Sequence, residues 1–98
     1  MDGLTGFQRD ILYALVGLES PHGLAVQAEL DEYYSESVTR GRLYANLDEL
    51  VDRGFVHKER QTDRSNQYTL TDHGVRAIVA HRRWTEQQLL DALQRGGQ

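Results

Sequence analysis

Three short amphipathic stretches, a polar turn set between strand-forming residues and one long closing apolar stripe predict the fold class. It is mainly α with a two-stranded β-wing: a winged helix-turn-helix plus a C-terminal dimerisation helix. No repeat, low-complexity tract or linker interrupts the 98 residues, so they read as one continuous domain. Within it, residues 1–72 form the winged core and residues 73–98 the last helix. A chain of this size buries only about 60–68% of its unfolded surface, so a partner chain or a very economical core is expected.

The first helix lies in "LTGFQRDILYALVGLE", where Phe7, Ile11, Ala14, Leu15 and Leu18 share one face at helical spacing and Thr5 is the expected N-cap. "SPHG" at 20–23, with the only proline, breaks the chain. A second helix follows in "LAVQAELDEYY". There Leu24, Ala28 and Tyr34 are expected to face inward, leaving Glu29, Asp31 and Glu32 solvated. After the turn "SESV", the third helix starts at a Ser37 or Thr39 cap, runs Leu43–Leu47–Leu50–Val51 and stops at Gly54, a left-handed C-terminal position. Two strands, about 55–60 and 66–70, flank the polar stretch from Gln61 to Asn66. Their alternation is imperfect and leaves the buried face of 55–60 open. Thr71 then caps the last helix, with Asp72 in its first turn. On that helix Val75, Ile78, Val79, Leu89, Leu90 and Leu93 form a stripe, and Trp84 lies roughly opposite.

Composition excludes several classes. The chain has no cysteine, so a disulfide framework and thiolate chemistry are absent. Its longest apolar run, "ILYALVGL", is far short of the roughly 20 residues that span a bilayer. The N-terminus carries no basic-then-apolar export signal, so a cytoplasmic protein is expected. The four histidines, at 22, 57, 73 and 81, show no metal-ligand spacing. Neither a Ser–His–Asp set, nor paired carboxylates, nor a phosphate-cradling glycine loop is visible. An enzyme is therefore not expected, and no cofactor is.

Charge is informative by region. The net is −4, yet residues 1–36 hold seven acids against Arg9 alone, whereas residues 37–98 hold ten bases against eight acids. Bases thus gather on the later elements, beginning at Arg40 and Arg42. All but Lys58 are arginine, and acid excess with almost no lysine fits a halophilic or GC-rich source.

"GRLYANLDELVDRGFV" followed by "NQYTLTDHG" resembles the PadR family of transcriptional regulators, particularly haloarchaeal ones. The resemblance covers about residues 7 to 80. It includes Leu43–Tyr44, Leu47, Leu50, Gly54, the wing, the Tyr68–Thr71 exit and Gly74, and "PHGL" is similar to the family's first interhelical turn. Ala45 departs from the pattern, since proline is common there in the family; alanine favours helix. The resemblance implies a homodimeric regulator of double-stranded DNA, dimerised through its last helix. The leading expectation is a repressor on a near-palindromic operator, with helix 39–53 in the major groove and wing 60–66 on phosphates or the minor groove.

In that reading Arg40 and Arg42 sit where a recognition helix meets base edges, and Gly41 allows close backbone approach. Ser37, Thr39 and the helix's first N–H groups suit phosphate. Two solvated loop arginines are the bland alternative. Tyr44 is either plain core or half-buried with its hydroxyl on phosphate. In the wing, Asp63, Ser65 and Asn66 are ordinary turn formers, whereas Arg64 is not required by turn chemistry. Arg64 is therefore placed at DNA, with its neighbour Ser65 included in the candidate contact and Lys58 and Arg60 on the approach or paired with nearby acids. Ile78, Trp84, Leu89, Leu90 and Leu93 are assigned to the dimer interface. A winged-helix adaptor binding protein through the wing and third helix is the competing class; arginines at the start of the third helix favour DNA.

Overall fold

The structure, a computed structural model, describes residues 2–96; residues 1, 97 and 98, at the ends of the two expected segments, lie outside the described residues. In chain order it has α1 (Gly6–Gly17), α2 (Gly23–Tyr34), α3 (Arg40–Asp52), β1 (Val56–Thr62), β2 (Ser65–Leu70) and α4 (Asp72–Gly96). This is the predicted winged helix-turn-helix with a C-terminal helix.

Local chemistry sets the helix ends. At α1, the Thr5 hydroxyl accepts from the Gln8 N–H while Gln8 Oε1 accepts from the Thr5 N–H, both at 3.1 Å, a reciprocal capping box. Thr39 caps α3 by accepting from the Arg42 N–H at 3.2 Å. Ser37 makes no such cap and is exposed in the loop. Thr71 caps α4 through Gly74 N–H at 3.1 Å and also donates to the Gly54 carbonyl at 2.6 Å. Gly54 has φ 82° and ends α3 as expected.

The core collects Ile11, Leu12, Leu15, Val26, Leu30, Leu43, Leu47, Leu50, Phe55, Val56 and Tyr68. One helix face differs from expectation. On α2 the buried residues are Gly23, Val26 and Leu30, whereas Leu24 is 61% exposed and Ala28 is exposed. Leu24–Ala28 and Val26–Leu30 are both i,i+4 pairs, about 200° apart on the helix, and packing against α1 and α3 selects the second. Nor is Asp31 simply solvated: its carboxylate accepts from the Val38 N–H at 2.6 Å, while Gln27 donates to the Val38 carbonyl at 2.7 Å. These two bonds fix the short connection into α3, where Val38 is buried.

The strands run longer than expected and the turn is tighter. β1 and β2 pair antiparallel from Val56↔Leu70 to Thr62↔Ser65, with an irregularity between Arg60 and Thr62, so only Asp63 and Arg64 form the tip. Val56 and Tyr68 supply the buried side chains of the hairpin. A third segment joins it: the Tyr68 N–H donates to the Pro21 carbonyl at 2.9 Å, and His22 bridges Gln67.

α4 meets the core only near its start, through Gly74, Ala77 and Ile78. Gly74 is required there, since a Cβ at that position would lie 2.2 Å from the Phe55 carbonyl oxygen. Ile78, assigned from sequence to a dimer interface, is 6% exposed and packs in this chain's own core. Val75, Val79, Leu89, Leu90 and Leu93 are exposed, as is Trp84.

Candidate nucleic-acid interface

The start of α3 presents two arginines in different settings. At about 100° per residue, positions two apart leave a helix on nearly opposite sides. Arg40 falls toward α2 and the wing, where it lines a cavity of about 570 Å³ with His22, Tyr44, Arg64, Ser65 and Asn66. Arg42 falls toward α1, where its guanidinium carbon lies 3.8 Å from the Phe7 ring centroid. Gly41 stands between them with open space around it, so the backbone is bare where the helix tip projects.

Farther along α3, the exposed residues turn acidic: Asp48, Glu49 and Asp52. Glu49 accepts from the buried Gln8 side chain, which also donates to Asn46 at 3.1 Å. Asp48 pairs with Lys58 of β1 at 3.7 Å. Positive charge is therefore concentrated at the N-terminal end of α3 and falls away toward its C-terminus.

The wing's bases divide in the same way. Arg60 is held by Asp63 at 3.2 Å within the hairpin, and Lys58 by Asp48. Among the described residues, the Arg64 guanidinium has neither a salt bridge nor a hydrogen-bond acceptor; only its backbone N–H is engaged, by Thr62. Arg64 and Arg40 line one concave surface although they come from the hairpin tip and the helix start.

Two residues not singled out as site residues in the sequence build the back of that cavity. His22, at the N-cap position of α2, gives no side-chain bond to its own helix; its ring Nδ1 lies 3.2 Å from the Asn66 carbonyl. A carbonyl only accepts, so this nitrogen carries the proton. Gly23 lets the half-buried Tyr44 ring lie against α2, since a Cβ there would come within 2.1 Å of the Tyr44 hydroxyl. "PHGL" signalled a turn, but not that the turn meets the wing. Burial, followed by the nearness of Tyr44 and Asp48, pushes the Tyr68 pKa above its ordinary value, so that ring at the cavity wall stays uncharged.

A second cavity, about 720 Å³, lies between the chain's start and α4 and is lined by Arg9, His73, Arg76, His81 and Trp84. His81 touches Tyr13 of α1, Nδ1 to hydroxyl 3.2 Å, and stacks on Trp84 at 6.5 Å. Among the described residues there is no group of three or more His, Cys, Asp or Glu able to hold a metal ion, and no helix long and apolar enough to cross a membrane.

The sequence model of the transcriptional regulator PadR-like family matches residues 11–80. Among solved structures, the chain is similar to Halobacterium salinarum RosR at 48% identity and TM-score 0.84, covering 88% of this chain and 77% of that one. The source of RosR fits the halophile-like composition. A MarR-family transcription regulator is similar at 26% identity and TM-score 0.74, covering 97% of this chain and 60% of that one. A winged-helix DNA-binding protein of STIV shares the fold at 22% identity and TM-score 0.69, over 80% and 85% of the two chains. No curated protein matches.

Proposed function

Because the chain belongs to the PadR-like family of transcriptional regulators, with a winged helix-turn-helix, we propose that it is a sequence-specific repressor acting by occupancy of its DNA site. It binds a near-palindromic operator as a homodimer in the cytoplasm, with α3 entering the major groove from its N-terminal end. The observation that carries this reading is the gathering of uncommitted guanidiniums at the tip of α3 and the tip of the wing. Arg40, Arg42 and Arg64 have no salt bridge or side-chain hydrogen bond among the described residues, while Lys58 and Arg60 are paired with acids.

The shared cavity divides the labour. Arg64 and Arg40, with the Tyr44 hydroxyl and Ser65 beside them, form a seat for backbone phosphate. Arg42, on the other side of Gly41, is the base reader, because a guanidinium fork fits guanine O6 and N7. Phosphate contacts position the protein without reading sequence. Arg64→Ala is therefore expected to weaken binding to all duplexes alike and to shallow the salt slope by about one ion. Arg42→Ala is expected to lower affinity for the operator by about 1–3 kcal/mol per affected base pair while changing random-duplex affinity little.

The acidic surface does not oppose this. At 1 M salt the screening length is only about 3 Å, so contacts at the helix tip outweigh net charge. The test is affinity for duplexes selected from a random library and for scrambled controls at several salt concentrations. A protein that shows no preference for any duplex would instead favour the adaptor reading.

A further inference from the structure

Among the described residues the Arg42 guanidinium is held by an aromatic face and by no acceptor. Its guanidinium carbon is 3.8 Å from the Phe7 centroid, which is van der Waals contact. Phe7 stacks in turn on Tyr34, with centroids 6.1 Å apart and planes 23° from parallel. The Tyr34 hydroxyl donates to Asp10, which anchors the far end of the stack. Helices α1, α2 and α3 each contribute one layer. The backbone of Arg42 is fixed as well: its N–H donates to Thr39, and its carbonyl accepts from Asn46 Nδ2 at 2.8 Å.

Among the described residues no oxygen accepts from the Arg42 guanidinium and no carboxylate pairs with it. The contrast with Arg53 is instructive. That residue lies over Phe55 at 5.1 Å but also donates to the Asp2 and Gly3 carbonyls and pairs with Glu49. Its donors are consumed; those of Arg42 are not. Contact through the face of a guanidinium restrains the group while leaving its edge N–H donors free, and those edges are what a guanine or a phosphate accepts from.

We propose that Phe7 is a positioning residue for DNA recognition, holding Arg42 by its face so that its edge donors meet the major groove already oriented. The proposal rests on the DNA-binding reading above. An unrestrained arginine must be ordered when it binds, and that ordering weakens binding. Removing the ring while keeping the apolar volume is expected to lower operator affinity roughly two- to tenfold per half-site.

The test combines a binding cycle with a measurement that needs no DNA. Affinities of wild type, Phe7→Leu, Phe7→Tyr, Arg42→Ala and the Phe7→Leu/Arg42→Ala double variant are measured on duplexes enriched by the wild-type protein from a random library, and on scrambled duplexes. Phe7→Leu should lose affinity for enriched duplexes and little for scrambled ones, and Phe7→Tyr should retain it. In the Arg42→Ala background, Phe7→Leu should have no further effect. Equal losses in both backgrounds would mean that Phe7 acts through the fold, and the proposal fails. If Arg42→Ala binds enriched duplexes as well as wild type, the positioning role falls while DNA binding stands. If wild type enriches no duplex, the DNA reading itself falls. In the free protein, nitrogen relaxation of the Arg42 Nε–H should report a stiffer side chain than Arg64, loosened by Phe7→Leu. An Arg42 as mobile as Arg64 in wild type would overturn the proposal even if Phe7→Leu proved too unstable to assay.

Discussion

The first ten residues of α4, Asp72–His81, and the remainder, Arg82–Gly96, carry one continuous helix through two environments. In the first part Gly74, Ala77 and Ile78 are buried, His73 stacks on Phe55 at 4.2 Å and His81 reaches Tyr13. In the second, Leu89, Leu90 and Leu93 are 66%, 50% and 71% exposed, and no side chain is fully buried. The molecule measures 59 Å along its longest axis and 29 and 22 Å across it. The leucines do not pause where the body of the protein ends. A helix that keeps an apolar stripe beyond its own core has a surface suited to a second copy, and the homodimer proposal rests on that stripe.

Changes on either side of that boundary test the contrast. The largest effect is expected in the distal part. Each fully buried leucine contributes roughly 1.5–3 kcal/mol, and a two-fold contact buries every residue twice. If the proposed dimer forms through this stripe, Leu89→Glu with Leu93→Glu should leave only monomer by sedimentation at micromolar concentration where the unchanged protein sediments as a dimer, while far-ultraviolet circular dichroism shows the winged core still folded. A dimer that survives the double change would place the interface elsewhere.

In the proximal part, Gly74→Ala forces a methyl group against the Phe55 carbonyl, which is backbone and can yield only by moving the start of the helix. About 1–3 kcal/mol of stability should be lost, seen as a lower Tm at fixed protein concentration, with the association state unchanged. Comparable losses from Gly74→Ala and from a mild distal change such as Leu90→Ala, both made in the monomeric Leu89→Glu/Leu93→Glu background, would erase the distinction between the two parts.

The smallest effect concerns the packed end away from α4. Burial first, then the hydrogen bond to Asp10, raises the Tyr34 pKa from 10.0 to about 12. A raised folded-state value means that the folded form holds the proton more tightly. The resulting stability is complete below about pH 10 and is lost as pH rises toward about 12. Tyr34→Phe should flatten the decline in Tm over that window, and an unchanged decline would remove Tyr34 as its cause.

Much of the fold was legible because helix ends are local. Thr5, Thr39 and Thr71 cap by accepting from an N–H three residues ahead, and Gly54 ends α3 by a backbone angle that glycine adopts freely. The inward side of α2 was not local. Leu24 and Val26 are equally good apolar anchors, and only the positions of α1 and α3 choose between them. The candidate site was legible in its residue types at the tip of α3 and the wing. Its arrangement was hidden, because Phe7 meets Arg42, and His22 meets Asn66, across long stretches of chain. The fate of Ile78 was hidden for a related reason: the wheel placed it with the exposed leucines, whereas Gly74 brings α4 close enough to bury it.

The stitch between the α1–α2 turn and β2 has a mechanical consequence. The Pro21 carbonyl holds the Tyr68 N–H and His22 holds the Asn66 carbonyl, so β2 is braced from its middle out to the residue beside the turn by the segment that launches α2. A sideways load on the tip at Arg64 is passed through β2 into that turn before it can bend the strands. The position of the tip is thereby tied to residues 21–23, where α2 begins.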